Sequence, residues 1–78
     1  MKATIWSKDS CPYCDRAKAL LKLKGYDYEE KKIAEGFYTK AQLLESVPTA
    51  RTVPQIFLGE KYIGGYDELK AYFDKEIL

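Results

Sequence analysis

Short apolar runs alternate with charged segments along the chain, and the spacing within each run predicts an element. "ATIWS" (3–7) sets β-branched and aromatic residues side by side and reads as a short, mostly buried strand. After Pro12 the period changes. Tyr13, Ala17, Leu20, Leu21 and Lys24 follow helical spacing, with Arg16, Lys18 and Lys22 on other faces. Pro12 suits the first helical position, where a missing N–H is no loss, and Gly25 is a natural stop. "YDYEEKKI" (26–33) predicts a second strand, although its charges blur the alternation. "TKAQLLESV" (39–47) predicts a short helix opened by a capping box, with Thr39 as N-cap and Gln42 three residues on. Pro48 ends it, because the residue before a proline avoids the helical region. "QIFLGEKYIGG" (55–65) reads as two strands joined through a turn at Gly59-Glu60. "YDELKAYFDKEIL" (66–78) closes the chain as a helix with Leu69, Tyr72, Phe73 and Ile77 on one face.

Strand–helix–strand–helix–strand–strand–helix is an α/β order. It predicts a right-handed βαβ unit, then a hairpin and a covering helix: a four-stranded mixed sheet flanked by three helices. Trp6, Phe57 and Tyr72 are expected in the core, and Gln42 in the cap. At 78 residues one domain spanning 1–78 is expected. The 46% hydrophobic and 14% aromatic content argues against disorder. Thirteen Lys+Arg against 12 Asp+Glu leave a net charge of +1, which gives no electrostatic case for nucleic acid or an anionic membrane. "MKATIWSKDS" lacks the apolar run of a signal peptide, and no stretch approaches the ~18 apolar residues of a membrane span. A cytoplasmic protein is therefore expected.

The candidate chemistry lies in "DSCPYCDR" (9–16), which holds both cysteines of a chain without histidine. In a reducing compartment a structural disulfide is the weak reading, and a bridge over two residues restricts the unfolded chain little. Structural zinc needs four ligands, usually Cys or His, and two are present, so no metal is expected. A Cys–His protease is excluded. A redox pair remains. Cys11 stands where the first helix begins, so a thiolate there accepts hydrogen bonds from the unpaired N–H groups of the first turn. The helix dipole and the Lys8 ammonium act in the same direction, and each should lower a thiol pKa from its usual value of about 8.5. Cys14, one turn inside, should be more buried and stay protonated longer. The pattern supplies an attacking and a resolving thiol, with Pro12 stiffening the turn between them.

"CPYC" (11–14), "TVPQIFLGEKYIGG" (52–65) and "YDEL" (66–69), in this order and at these separations, resemble a glutaredoxin over nearly the whole chain. The resemblance implies a thioredoxin-like fold, glutathione as reductant and co-substrate, and protein disulfides or glutathione-mixed disulfides as substrates. By position Cys11 resembles the nucleophile and Cys14 the resolving cysteine. Thr52, Val53 and Pro54 resemble the loop with a cis proline whose preceding residue pairs, backbone to backbone, with the cysteine of glutathione. Lys8, Tyr13 and Arg51 resemble the groups around the glycine carboxylate, and Gly65, Tyr66 and Asp67 the segment holding the γ-glutamyl end. Tyr66 departs from the small or polar residues also common at its position.

That mapping suits the ligand, which carries two carboxylates and one ammonium. Lys8 and Arg51 offer cations, the last helix offers backbone donors, and Asp67 offers a partner for the ammonium. Asp67 also opens a helix, so it serves as N-cap, as ligand contact, or as both. Gly64 and Gly65 form a turn or permit a close backbone approach to the ligand. "AEGFY" (34–38) carries no motif.

The expected activity is glutathione-dependent reduction of protein disulfides and glutathione-mixed disulfides by a monomeric dithiol protein. Two alternatives share the fold. One is a carrier of a [2Fe–2S] cluster ligated by Cys11 of two chains and two glutathiones, against which Pro12 argues by stiffening the loop. The other is a thioredoxin-reductase-dependent electron donor to ribonucleotide reductase, against which Lys8, Arg51 and Asp67 argue by their fit to glutathione.

Overall fold

A computed structural model of the chain describes residues 2–75. The elements are β1 (Lys2–Ser7), α1 (Pro12–Leu23), β2 (Asp27–Lys32), α2 (Lys40–Ser46), β3 (Gln55–Leu58), β4 (Lys61–Gly64) and α3 (Tyr66–Lys75). The sheet runs β2-β1-β3-β4, so β1 and β3 are central and β2 and β4 form the edges. β1 pairs parallel with β2 and antiparallel with β3, and β3 pairs antiparallel with β4. This is the mixed four-stranded α/β arrangement expected from the order of elements. Ile77 lies outside the described residues.

Local chemistry accounts for the boundaries. Cys11 is the N-cap of α1, with Pro12 at the first position. At its other end the Lys24 N–H reaches the Leu20 carbonyl, and Gly25 takes φ +81, where a side chain would be strained. The capping box of α2 is formed: the Thr39 hydroxyl accepts from the Gln42 N–H, and the Gln42 side chain accepts from the Thr39 N–H. Between β3 and β4 the register slips by one residue around Ile63, since Ile56 opposes Gly64 while Phe57 opposes Tyr62.

Alternation along the strands divides the apolar residues between two faces. Ala3, Ile5 and Ile56 face α1 and α3, where they pack with Ala17, Leu21, Leu69 and Phe73. Trp6 faces the other way and packs with Leu43 and Val47 beside α2, joined by Ile33, Tyr38, Ala50, Val53 and Phe57. Fully burying side chains such as Ile5, Leu21 and Ile56 contributes roughly 2 kcal/mol each. On α1 the buried stripe is Cys14, Ala17 and Leu21. Tyr13 does not belong to that stripe, contrary to the periodicity: at 53% exposure it sits one position off the line set by Cys14.

Candidate active site

The site is built at the end of β1. After Ser7 the chain turns through Asp9 and Ser10, the latter at φ +55, and enters α1 through Cys11 in an extended conformation. Cys11 and Cys14 form a disulfide with their Cα atoms 5.2 Å apart. The Cys14 N–H donates to Cys11 Sγ at 3.2 Å, so the first sulfur occupies the place of an N-cap acceptor. Cys11 is 8% exposed and Cys14 1%. Both are buried, and Cys14 is the more buried of the two, as expected.

Polar links hold this turn. Asp9 and Lys32 pair at 2.9 Å, and that bond raises the lysine pKa. Behind the cysteines the buried Ser7 hydroxyl donates to Glu30 Oε2 at 2.5 Å. Lys18 reaches the same oxygen at 3.1 Å and Asp15 at 3.5 Å. The Ser7 hydrogen bond, joined by Lys18, pulls the Glu30 carboxyl below its usual range despite partial desolvation. Desolvation pulls Lys18 down, but its contacts with Glu30 and Asp15 outweigh it and the net shift is upward.

The second wall is the loop from Arg51 to Pro54, in which the Val53–Pro54 peptide is cis. The Val53 carbonyl oxygen stands 3.9 Å from Cys11 Sγ. Gln55, buried at the start of β3, donates through Nε2 to the Thr52 carbonyl at 2.8 Å, and the Tyr62 hydroxyl donates to Gln55 Oε1 at 2.5 Å. This chain of bonds pins the loop from the hairpin side.

Two open cavities meet at Thr52 and Val53. One, of about 230 Å³, is lined by Lys8, Lys40 and Arg51 over Ile33, Leu43 and Ala50. The other, of about 270 Å³, is lined by Tyr13, Pro54, Gly65, Tyr66, Asp67 and Glu68. Each residue that the sequence places around the cysteine pair thus lines one cavity or the other.

Three details differ from expectation. Tyr13 lines the second cavity, not the one holding Lys8 and Arg51: its ring rests 5.9 Å from that of Tyr66, with Arg16 5.2 Å from its centroid. Asp67 is not the N-cap of α3. The Leu69 N–H bonds the Gly65 carbonyl, and Glu68 Oε1 accepts from the Gly65 N–H at 2.8 Å, so Gly65 is the cap and Glu68 its reciprocal partner. Of the two glycines, Gly64 is required by the protein's own packing: a Cβ there would meet Glu68 Cγ at 2.9 Å, and its φ is +123. Sequence reasoning did not find Lys40, Gln55, Glu68 or the Ser7–Glu30 bond. The three-residue spacing between Gly65 and Glu68 was the available sign for the cap. Among the described residues no group of three or more Cys, Asp or Glu gathers as a metal site.

A family model described as Glutaredoxin matches residues 3–63. The chain belongs to the glutaredoxin family. Glutaredoxin 3 of Escherichia coli is 45% identical over 67 residues, covering 86% of this chain and 80% of that protein. The hybrid peroxiredoxin hyPrx5 of Haemophilus influenzae is 43% identical over 70 residues, 90% of this chain, which spans only 28% of that longer protein. Glutaredoxin 1 from Francisella tularensis superposes with a TM-score of 0.80 at 30% identity, covering 97% of this glutaredoxin and 95% of that chain. A buckwheat glutaredoxin solved as its glutathione complex gives 0.69 at 32% identity, covering 96% and 71%. A glutaredoxin with a disulfide-forming CxxC pair is a thiol–disulfide oxidoreductase. Among the described residues no helix is long and apolar enough to cross a membrane.

Proposed function

We propose that this glutaredoxin uses glutathione as its reductant, with Cys11 as nucleophile and Cys14 as resolving thiol. The carrying observation is the position of Cys11 Sγ, the less buried sulfur, beside Val53 where a cation-lined and an acid-lined cavity meet. Glutathione has a carboxylate at its glycine end and an ammonium with a second carboxylate at its γ-glutamyl end. Lys8 and Arg51 match the first, and Asp67 matches the ammonium. The backbone N–H groups of the first turn of α3 suit the remaining carboxylate. The buckwheat relative, solved with glutathione, supports the same reading.

With a mixed disulfide, the Cys11 thiolate attacks the glutathione sulfur. The substrate S–S bond breaks and its thiolate leaves and takes a proton from water. Cys11 is then glutathionylated. A second glutathione thiolate attacks that glutathione sulfur, which releases oxidised glutathione and restores the Cys11 thiolate. With a protein disulfide, Cys11 forms a mixed disulfide and Cys14 attacks Cys11 Sγ, closing the internal bond. The Cys14 N–H at 3.2 Å stabilises sulfur as it gains charge, and no general base is required.

The test is deglutathionylation of a model peptide coupled to NADPH and glutathione reductase, for wild type, Cys11→Ser and Cys14→Ser. Cys11→Ser is expected to fall to background and Cys14→Ser to keep most activity. An inactive wild type, with its thiols confirmed reduced, would overturn the glutathione reading. An active Cys11→Ser would overturn the choice of nucleophile.

A further inference from the structure

The two cavities beside the cysteine pair differ in charge as well as in place. Lys8 after β1, Lys40 at the start of α2 and Arg51 before the proline loop converge on the first from three separate segments. Asp67 and Glu68 of α3 line the second. Among the described residues no carboxylate lines the first and no lysine or arginine the second. The carboxylates around the CxxC turn are engaged elsewhere: Asp9 with Lys32, and Asp15 and Glu30 with Lys18. Lys8, Lys40 and Arg51 form no ion pair within the described residues, so all three remain available to a bound anion. The cleft is polar end to end although the chain's net charge is only +1.

From this division we infer that the cleft reads charge order in protein disulfides. The preferred cysteine has a basic residue within two positions on its N-terminal side and an acidic residue within two on its C-terminal side. The direction rests on the glutathione reading above, which sets the ammonium-bearing end toward Asp67 and the glycine carboxylate toward the cations. An extended segment advances about 3.3 Å per residue, so residues two positions from the attacked cysteine lie about 7 Å away on either side. Lys40 becomes a specificity-determining residue. The preference belongs to the dithiol route only, because a glutathionylated substrate fills the cleft with glutathione itself.

The redox balance of that route is complete within the two partners. The Cys11 thiolate attacks the substrate cysteine, the substrate S–S bond breaks, and its other sulfur leaves as a thiolate and takes a proton from water. Cys14 loses its proton to water and attacks Cys11 Sγ, and the first substrate sulfur leaves in turn. The substrate gains two electrons and two protons, and the dithiol becomes the Cys11–Cys14 disulfide.

The experiment uses two peptides of identical composition, Lys-Ser-Cys-Ser-Glu and Glu-Ser-Cys-Ser-Lys, each joined through its cysteine to thionitrobenzoate. Chemically reduced protein is mixed with each in stopped flow without glutathione, and the coloured thiolate released on attack at the peptide sulfur is followed. Equal net charge cancels long-range steering. The first peptide is expected to react about five to ten times faster, as for two exposed charge pairs exchanged for like-charge contacts. The ratio is expected to fall toward one at ~1 M salt, where screening acts within about 3 Å. Lys40→Glu should bring it toward one as well, and Lys40→Gln should give an intermediate ratio. Equal or reversed rates for the wild type, with glutathione-dependent turnover intact in the coupled assay, would overturn the inference alone. A retained preference without glutathione-dependent turnover would support charge reading and overturn the glutathione assignment instead. A ratio insensitive to both salt and Lys40 would overturn the inference.

Discussion

The two faces of the sheet carry unequal loads. On one, α1 and α3 cover Ala3, Ile5 and Ile56, and Ala17, Leu21, Leu69 and Phe73 complete an aliphatic and aromatic layer. On the other, seven-residue α2 covers Trp6 with Leu43 and Val47. Yet the thin face supports half of the site. Ala50 and Val53 pack against it, whereas Cys14 continues the buried stripe of α1 on the thick face. The Cys11 sulfur and the Val53 carbonyl, 3.9 Å apart, are therefore held by two different cores. A domain this small separates stability from loop placement by assigning them to opposite sides of one sheet.

Substitutions on each side should separate the two. Leu21→Ala in the thick layer should cost about 3 kcal/mol by cavity formation, read from denaturant unfolding, with the KM for glutathione of the folded fraction little changed. Leu43→Ala should cost less, about 2 kcal/mol, but raise the KM for glutathione by loosening the Arg51–Pro54 loop. Equal stability losses with no change in KM would dissolve the distinction.

The smallest effect is expected outside both layers, at Glu30. Its carboxyl titrates below the usual range because of the Ser7 bond and then Lys18. The folded-state value is thus lower than the unfolded one, so the ionised group stabilises the fold above the unfolded value. That contribution disappears as the pH falls through the folded value. Glu30→Gln should therefore lose about 1 kcal/mol at neutral pH, and the deficit should close in acid. A deficit constant down to acid would place the role of Glu30 in packing alone.

Much of this was legible in the order of residues. Pro12 and Gly25 bracket α1, Thr39 and Gln42 open α2, and Gly59-Glu60 turns the hairpin, because each acts within four residues of itself. The cysteine pair, the proline loop and the glycine-led helix are local motifs too, so Lys8, Tyr13, Arg51–Pro54 and Gly65–Asp67 could be named in advance, while Lys40 and Glu68 could not. What escaped depends on distant partners or on one-residue register. Ser7 and Glu30 are 23 positions apart, and Lys18 and Glu30 are 12. The cap of α3 lies at Gly65, two positions before Asp67, because Glu68 rather than Asp67 supplies the side-chain acceptor. Tyr13 fits the helical period yet stands exposed beside Tyr66, because spacing alone does not say which of two neighbours in a helix points inward.

β2 was the hardest strand to recognise, since "DYEEKK" carries five charged residues in six positions. It is also a full-length edge, and an open edge offers unpaired N–H and C=O groups to any passing strand. The charges discourage another chain from docking there, and β4 at the opposite edge has only four residues. The composition that blurs β2 as a pattern thus acts as protection against aggregation at the edge most open to it.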